Sequence, residues 1–324
     1  MTPIMKALIL PLLVILLRAS SANADPISIS TLWNWGGATT NQQAQISSVW
    51  SSVVSYYQNT FAASYSGETW TINANWTTFS NSAIANCGPS GWVSGATLAT
   101  LTNANTNLIN TDVWYANAEA NQVARQAYTN GSSMTLNINM NTTWDWSTTN
   151  KASGTESFYT TAIHEIGHGL GFLSDINTNT GAYNGGATAF DAYLTLGTGT
   201  NYLISMTNNA DRLAAITSAN IYFNGYNATN NLGGPVSIYA PSAYEDGSSM
   251  SHLNTNVSLT QSLIMYPSAT TNPENFSYSS MELGIYQDLG YSITAVPESS
   301  SGILILFGSG ALVLTWRFRR MATC

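Results

Sequence analysis

The chain has 324 residues, 44% of them hydrophobic and only 7% charged. That length and apolar content suffice to bury a sizeable core, which excludes disorder of the whole and suggests one large or two small domains. Five of the eight basic residues, Lys6, Arg18, Arg317, Arg319 and Arg320, lie at the two ends, so residues 25–297 keep three, Arg125, Lys151 and Arg212, against fifteen acidic groups, a formal −12. A body of that sign repels phosphate backbones and anionic membrane surfaces, which excludes nucleic acid as a partner.

In chain order, residues 1–24 come first, with Lys6, an apolar run Ala7–Leu17 and then Ala22-Asn23-Ala24. This is the layout of a secretory signal peptide with an A-x-A cleavage site. The apolar run is about half of the ~20 residues that a membrane span requires, which disfavours an anchor at this end. Cys87 and Cys324 are the only cysteines, so no disulfide framework can be drawn. A secreted chain of this size without disulfides fits a bacterial exterior better than an animal one.

From Gln42 to Phe61, Ile46, Val49, Trp50, Val53 and Tyr57 fall at helical spacing and predict an amphipathic helix. Cys87, in Asn86-Cys87-Gly88, reads as a small buried thiol, with coordination of a metal in a latent form as the alternative. Met134 to Met140 alternates apolar and polar residues and predicts a strand with one buried face. Phe158 to Phe172 lacks proline and reads as a buried helix ended by Gly169 and Gly171. Asn177 to Asn231 is rich in Asn, Thr and Gly and supports loops with short strands or helices. Glu282 to Gly290 predicts a C-terminal helix closed by glycine and present for packing. No linker divides residues 25–295, so they form one unit with two lobes.

The buried helix carries His164-Glu165-Ile166-Gly167-His168, an H-E-x-x-H motif. Residues four apart lie one above the other on a helix, so two imidazoles can meet one metal ion with Glu165 beside them. A zinc ion held in this way keeps a position open for water and acidifies it, and Glu165 can take the proton as general base and pass it to the leaving amine.

The longer string His164 to Phe172 resembles the active-site helix of metzincin zinc peptidases, with Gly171 at the glycine where the chain turns sharply out of the helix. In most metzincins a third histidine follows three residues later; here that position is Ser174, a poor ligand, with Asp175 adjacent. The remaining histidine stands in Gly247-Ser248-Ser249-Met250-Ser251-His252, shortly before Ser262-Leu263-Ile264-Met265-Tyr266. That arrangement resembles leishmanolysin-like metzincins, where a long insertion separates the glycine turn from a G-S-x-x-S-H segment and a methionine turn follows. The resemblance implies His252 as the third zinc ligand, Asp175 being the alternative. It also implies Met265 as the apolar floor below the metal. The fold it implies is α+β: a twisted mixed sheet with the active-site helix in an N-terminal lobe, and a loop-rich C-terminal lobe. On that fold Met134–Met140 is either an ordinary core strand or the sheet edge that receives an extended substrate. Calcium sites among the acidic loops are left open and unplaced.

At the far end, Val296-Pro297-Glu298, an apolar stretch Ile303–Trp316 and Arg317, Arg319 and Arg320 resemble the PEP-CTERM sorting signal of Gram-negative bacteria, although Ser299 stands where that family usually has a second proline. The resemblance implies a transmembrane segment within 296–324, an exosortase-type enzyme as partner, and a secreted or cell-surface location. Two functions are then carried forward for residues 25–295. One is a zinc endopeptidase acting on protein or peptide substrates; the other is a non-catalytic surface or extracellular-matrix protein on the same fold.

Overall fold

The computed structural model describes residues 25–129, 131–255, 263–268 and 276–294. The expected signal peptide, 1–24, and the expected sorting tail, 296–324, lie outside the described residues. The expectation of a transmembrane segment is corrected: among the described residues no helix is long and apolar enough to cross a membrane. The stretch that suggested it, 303–316, is not among them.

The N-terminal half is built on a four-stranded sheet of β1 (Ser28–Asn34), β2 (Thr69–Thr77), β3 (Ala85–Pro89) and β4 (Met134–Asn139), in spatial order β1-β2-β4-β3. β1, β2 and β4 are parallel, while β3 runs antiparallel along β4 with Cys87 opposite Leu136. The strand read at Met134–Met140 is therefore interior, and the sheet edge on that side is β3.

Alternation places Trp70, Ile72, Ala74 and Trp76 of β2, with Met134, Leu136 and Ile138 of β4, on one buried face. Fully burying each large apolar side chain contributes about 1.5–3 kcal/mol. The other face carries partly exposed Thr and Asn, and three asparagines join across the strands. Asn75 Nδ2 donates to Asn137 Oδ1 at 2.9 Å, and Asn137 Nδ2 donates to Asn86 Oδ1 at 2.8 Å. Amides satisfy one another there without charge, which accounts for part of the Asn-rich, weakly charged composition.

Two helices cover the apolar face. α1 (Thr40–Thr60) starts at a capping box in which Thr39 Oγ1 accepts from the Gln42 N–H at 3.3 Å and Gln42 Oε1 accepts from the Thr39 N–H at 2.9 Å. It buries the five residues that its spacing predicts, Ile46, Val49, Trp50, Val53 and Tyr57. After the short α2 (Asn117–Ala124), α3 (Phe158–Gly169) is capped by Ser157 and packs against β3, β4 and α1. It ends three residues short of Phe172 because Gly171 takes φ +100°, a left-handed conformation that stops the helix and that glycine adopts without a Cβ penalty.

The C-terminal half holds a three-stranded antiparallel sheet, β5 (Leu194–Leu196), β6 (Ile221–Phe223) and β7 (Val236–Ile238). Helix α4 (Tyr226–Leu232) lies on α5 (Ser280–Asp288). Gly284 permits that approach, since a Cβ there would stand 2.7 Å from the Ala228 nitrogen. Asp288 in turn caps α4, taking the N–H groups of Asn227 at 2.8 Å and Ala228 at 3.0 Å where Gly225 has no side chain to offer. Ser292–Ile293 then pairs with Phe61–Ala62, tying the end of the described chain to the first half. The architecture is mixed α+β with open sheets.

Candidate metal centre

His164 and His168 project from one face of α3, as their spacing predicts. His252 arrives from the other half, delivered by the end of β7: the Tyr239 N–H donates to the His252 carbonyl at 2.8 Å, and the Met250 N–H donates to the Tyr239 carbonyl at 2.7 Å. Met250, before the histidine, sits at φ +70° with its side chain buried, a left-handed conformation uncommon outside glycine that surrounding contacts must hold.

The three Nε2 atoms form a near-equilateral triangle. His164 and His168 are 3.1 Å apart, His164 and His252 3.1 Å, and His168 and His252 3.2 Å. Each ring's other nitrogen lies on a backbone carbonyl: His164 Nδ1 on Ile264 at 2.7 Å, His168 Nδ1 on Phe172 at 2.8 Å, and His252 Nδ1 on Ser248 at 2.7 Å. A carbonyl only accepts, so each Nδ1 carries the proton and each Nε2 presents a bare lone pair. Three lone pairs converging at that distance repel one another unless a cation sits among them. Nitrogens bound tetrahedrally to one zinc at about 2.0–2.1 Å lie about 3.3 Å apart, so the donor set fits such an ion. Among the described residues these histidines are the one group of three or more His, Cys, Asp or Glu side chains that could hold a metal ion.

Burial keeps the imidazoles neutral. It lowers His164, and with the neighbouring rings it lowers His168 to about 3 and His252 well below the usual histidine value. Glu165 is 8% exposed and borders a small apolar recess walled by Ala85, Leu136, Ile138, Trp144 and Phe158. Desolvation there pushes its carboxyl up to about 8, and the backbone N–H of Cys87 on β3 pulls the other way. Cys87 itself is half-buried, and desolvation and Glu165 hold its thiol well above its usual value. It sits against the helix rather than in the histidine triangle: a Cβ on Gly169 would stand 2.8 Å from its Sγ.

Met265 is fully buried and lies beneath the helix, its Sδ 2.8 Å from where a Gly167 Cβ would be, with the Tyr278 hydroxyl at 2.6 Å. Position 167, just before His168, therefore has room for glycine and no larger residue. Ser174 and Asp175 stay away from the triangle. The Ser174 N–H donates to Ser251 Oγ at 3.2 Å, and the Asp175 carboxylate takes Asn184 Nδ2 at 3.1 Å and the Gly185 N–H at 3.2 Å.

Several contributors carried little signal in the sequence. The carbonyls of Ile264, Phe172 and Ser248 have none, because any residue type supplies one. Tyr57 and Tyr278 both donate to the Ile163 carbonyl, at 2.8 and 2.9 Å, steadying α3 just before His164. Glu282 accepts from the Met265 N–H at 2.8 Å, and Ser279 three residues earlier would have flagged it as half of a capping box. No protein-family model matches the chain, and no curated protein matches it either.

Proposed function

We propose that the chain is a secreted zinc-dependent endopeptidase related to metzincins of the long-spaced, leishmanolysin-like kind. The observation that carries this reading is the convergence of three bare Nε2 atoms with a buried glutamate one residue after the first ligand. His164, His168 and His252 would hold the ion, and Glu165 is the catalytic base. Zinc, when bound, supplies a Lewis acid and an acidified water. Glu165, one residue after His164, would hold and move the proton there: it would accept one from an attacking water and hand it to the departing amine.

The backbone of β3 supports a polypeptide as substrate. β3 is the sheet edge next to α3, and an extended peptide laid along it would gain main-chain hydrogen bonds and run past Glu165. A retired site kept as a scaffold would have no use for an intact base beside intact ligands. The test is digestion of denatured casein by the purified chain, alone, with a zinc chelator, and with zinc restored. Cleavage that the chelator abolishes and zinc recovers is the expected result; a zinc-loaded chain that leaves casein intact would sink the proposal.

A further inference from the structure

The sequence gives α5 no role beyond packing, yet one of its carboxylates reaches toward the metal centre. Glu282 is fully buried, and among the described residues no basic side chain pairs with it; N–H and hydroxyl donors hold it instead. Oε2 accepts from the Ser279 N–H at 2.8 Å and the Ser279 hydroxyl at 2.9 Å, closing the capping box of α5. Oε1 accepts from the Met265 N–H at 2.8 Å, and the N–H of Ile264 also bears on the carboxylate. The first pair of bonds serves the helix. The second reaches 17 residues back along the chain and does nothing for helix capping.

What Oε1 grips is the turn between two ligands. The Ile264 carbonyl accepts the Nδ1 proton of His164 at 2.7 Å, and the Met265 carbonyl accepts the N–H of Leu253, the residue after His252, at 2.8 Å. A shift of this turn would therefore carry one imidazole by its ring and the other by its backbone. A carboxylate is buried without a counter-charge only where donors take up its lone pairs, and half of those donors belong to the turn at Ile264 and Met265 rather than to the cap. Serine and a solvent-exposed Gln or Glu would cap α5 as well.

We propose that Glu282 is a positioning residue for the metal centre: by fixing the backbone of Ile264 and Met265 it sets where His164 and His252 present Nε2, and so governs metal affinity. The inference rests on the zinc reading above. Partners that orient metal-binding histidines are worth about 10–100-fold in affinity, and that is the effect expected of Glu282 although it stands one link further out.

The experiment compares Glu282→Gln, Glu282→Ala and Ser279→Ala in the full chain. Zinc affinity is measured by competition with a fluorescent chelator, the visible spectrum of the cobalt-substituted protein reports ligand geometry, and melting of the metal-free forms reports stability. The glutamine is isosteric and keeps the fold if the alanine does not, but its NH2 must face an N–H donor. Both Glu282 variants should bind zinc about 10–100-fold more weakly and change the cobalt spectrum. Ser279→Ala removes part of the cap only and should lower the melting temperature with zinc affinity unchanged. Wild-type affinity and spectrum in Glu282→Gln would overturn the proposal, as would zinc loss in Ser279→Ala as large as in Glu282→Gln. Failure of the wild-type chain to take up zinc would instead overturn the metal reading itself.

Discussion

The N–H of Ser174 donates to Ser251 Oγ at 3.2 Å, joining the position where a short-spaced metzincin carries its third histidine to the residue just before His252. The loop that leaves α3 at Gly171 is thus stitched to the segment that supplies the third imidazole, 84 residues beyond His168. Asp175 is not in the histidine group, and Ser174 Oγ accepts from the Ile176 N–H at 3.4 Å. Ser251→Ala should cost about 1 kcal/mol by denaturant unfolding, the usual worth of one neutral hydrogen bond, and leave zinc content unchanged.

The choice of third ligand is decided by metal content. Two imidazoles and water hold zinc weakly, so His252→Ala should purify with far less than one zinc per chain. Asp175→Ala loses the bonds to Asn184 and Gly185 and with them some loop stability, but should keep its zinc. Stoichiometric zinc in His252→Ala together with its loss in Asp175→Ala would reverse the assignment.

Glu165→Gln isolates the base. It leaves the three histidines and their carbonyl partners untouched, so zinc content and melting should stay close to wild type while casein turnover falls by about 10²–10⁴. Near-normal turnover would show that another group moves the proton.

Much of the site was legible locally, and the limits of that legibility are physical. The His164–His168 pair and the five buried residues of α1 follow from helical periodicity, which a window of a few turns contains. His252 lies 84 residues beyond His168, a separation that no local propensity spans, so only the resemblance to a known arrangement pointed to it. The edge strand β3 escaped because Ala85-Asn86-Cys87-Gly88-Pro89 has none of the β-branched residues that mark strands and contains both Gly and Pro, which an edge tolerates. Helix α5 begins earlier than its apolar pattern suggests because Ser279 and Ser280 read as loop, although Ser279 is its cap.

Gly167 tests the packing between the two ligands on α3. A methyl group there meets Met265 Sδ and the hydroxyls of Tyr278 and Tyr286. Overpacking of this kind costs about 1–3 kcal/mol, so Gly167→Ala should melt earlier and bind zinc less tightly. Tyr286→Phe removes one of the obstructing oxygens, and in the double variant part of the loss should return. Strict additivity in the double-mutant cycle would mean that the methyl group and the hydroxyl do not meet.

Asp191 should make stability depend on pH in a direction opposite to that of a salt-bridged carboxylate. It is fully buried; Oδ2 accepts from the N–H groups of Asp175 at 3.2 Å and Thr188 at 2.9 Å and from the Thr188 hydroxyl at 3.1 Å, and the Ser174 hydroxyl also bears on the carboxylate. Burial raises its pKa from 3.8 to about 6. Between those values the folded chain holds a proton that the unfolded chain has released, so the contribution is fully present below 3.8 and is lost as pH rises through about 6. Asparagine can keep its carbonyl where Oδ2 stands and does not titrate. Asp191→Asn should therefore gain on wild type as pH is raised from about 4 to about 7, with a ceiling of about 3 kcal/mol at roughly 1.4 kcal/mol per pH unit. Urea unfolding of both metal-free proteins across that range gives the difference directly, other titrating groups being common to the two. A difference that stays constant with pH would mean that Asp191 is ionised alike in the folded and unfolded chains. The buried carboxylate would then be held by more donors than the turn at Ser174 to Thr188 provides.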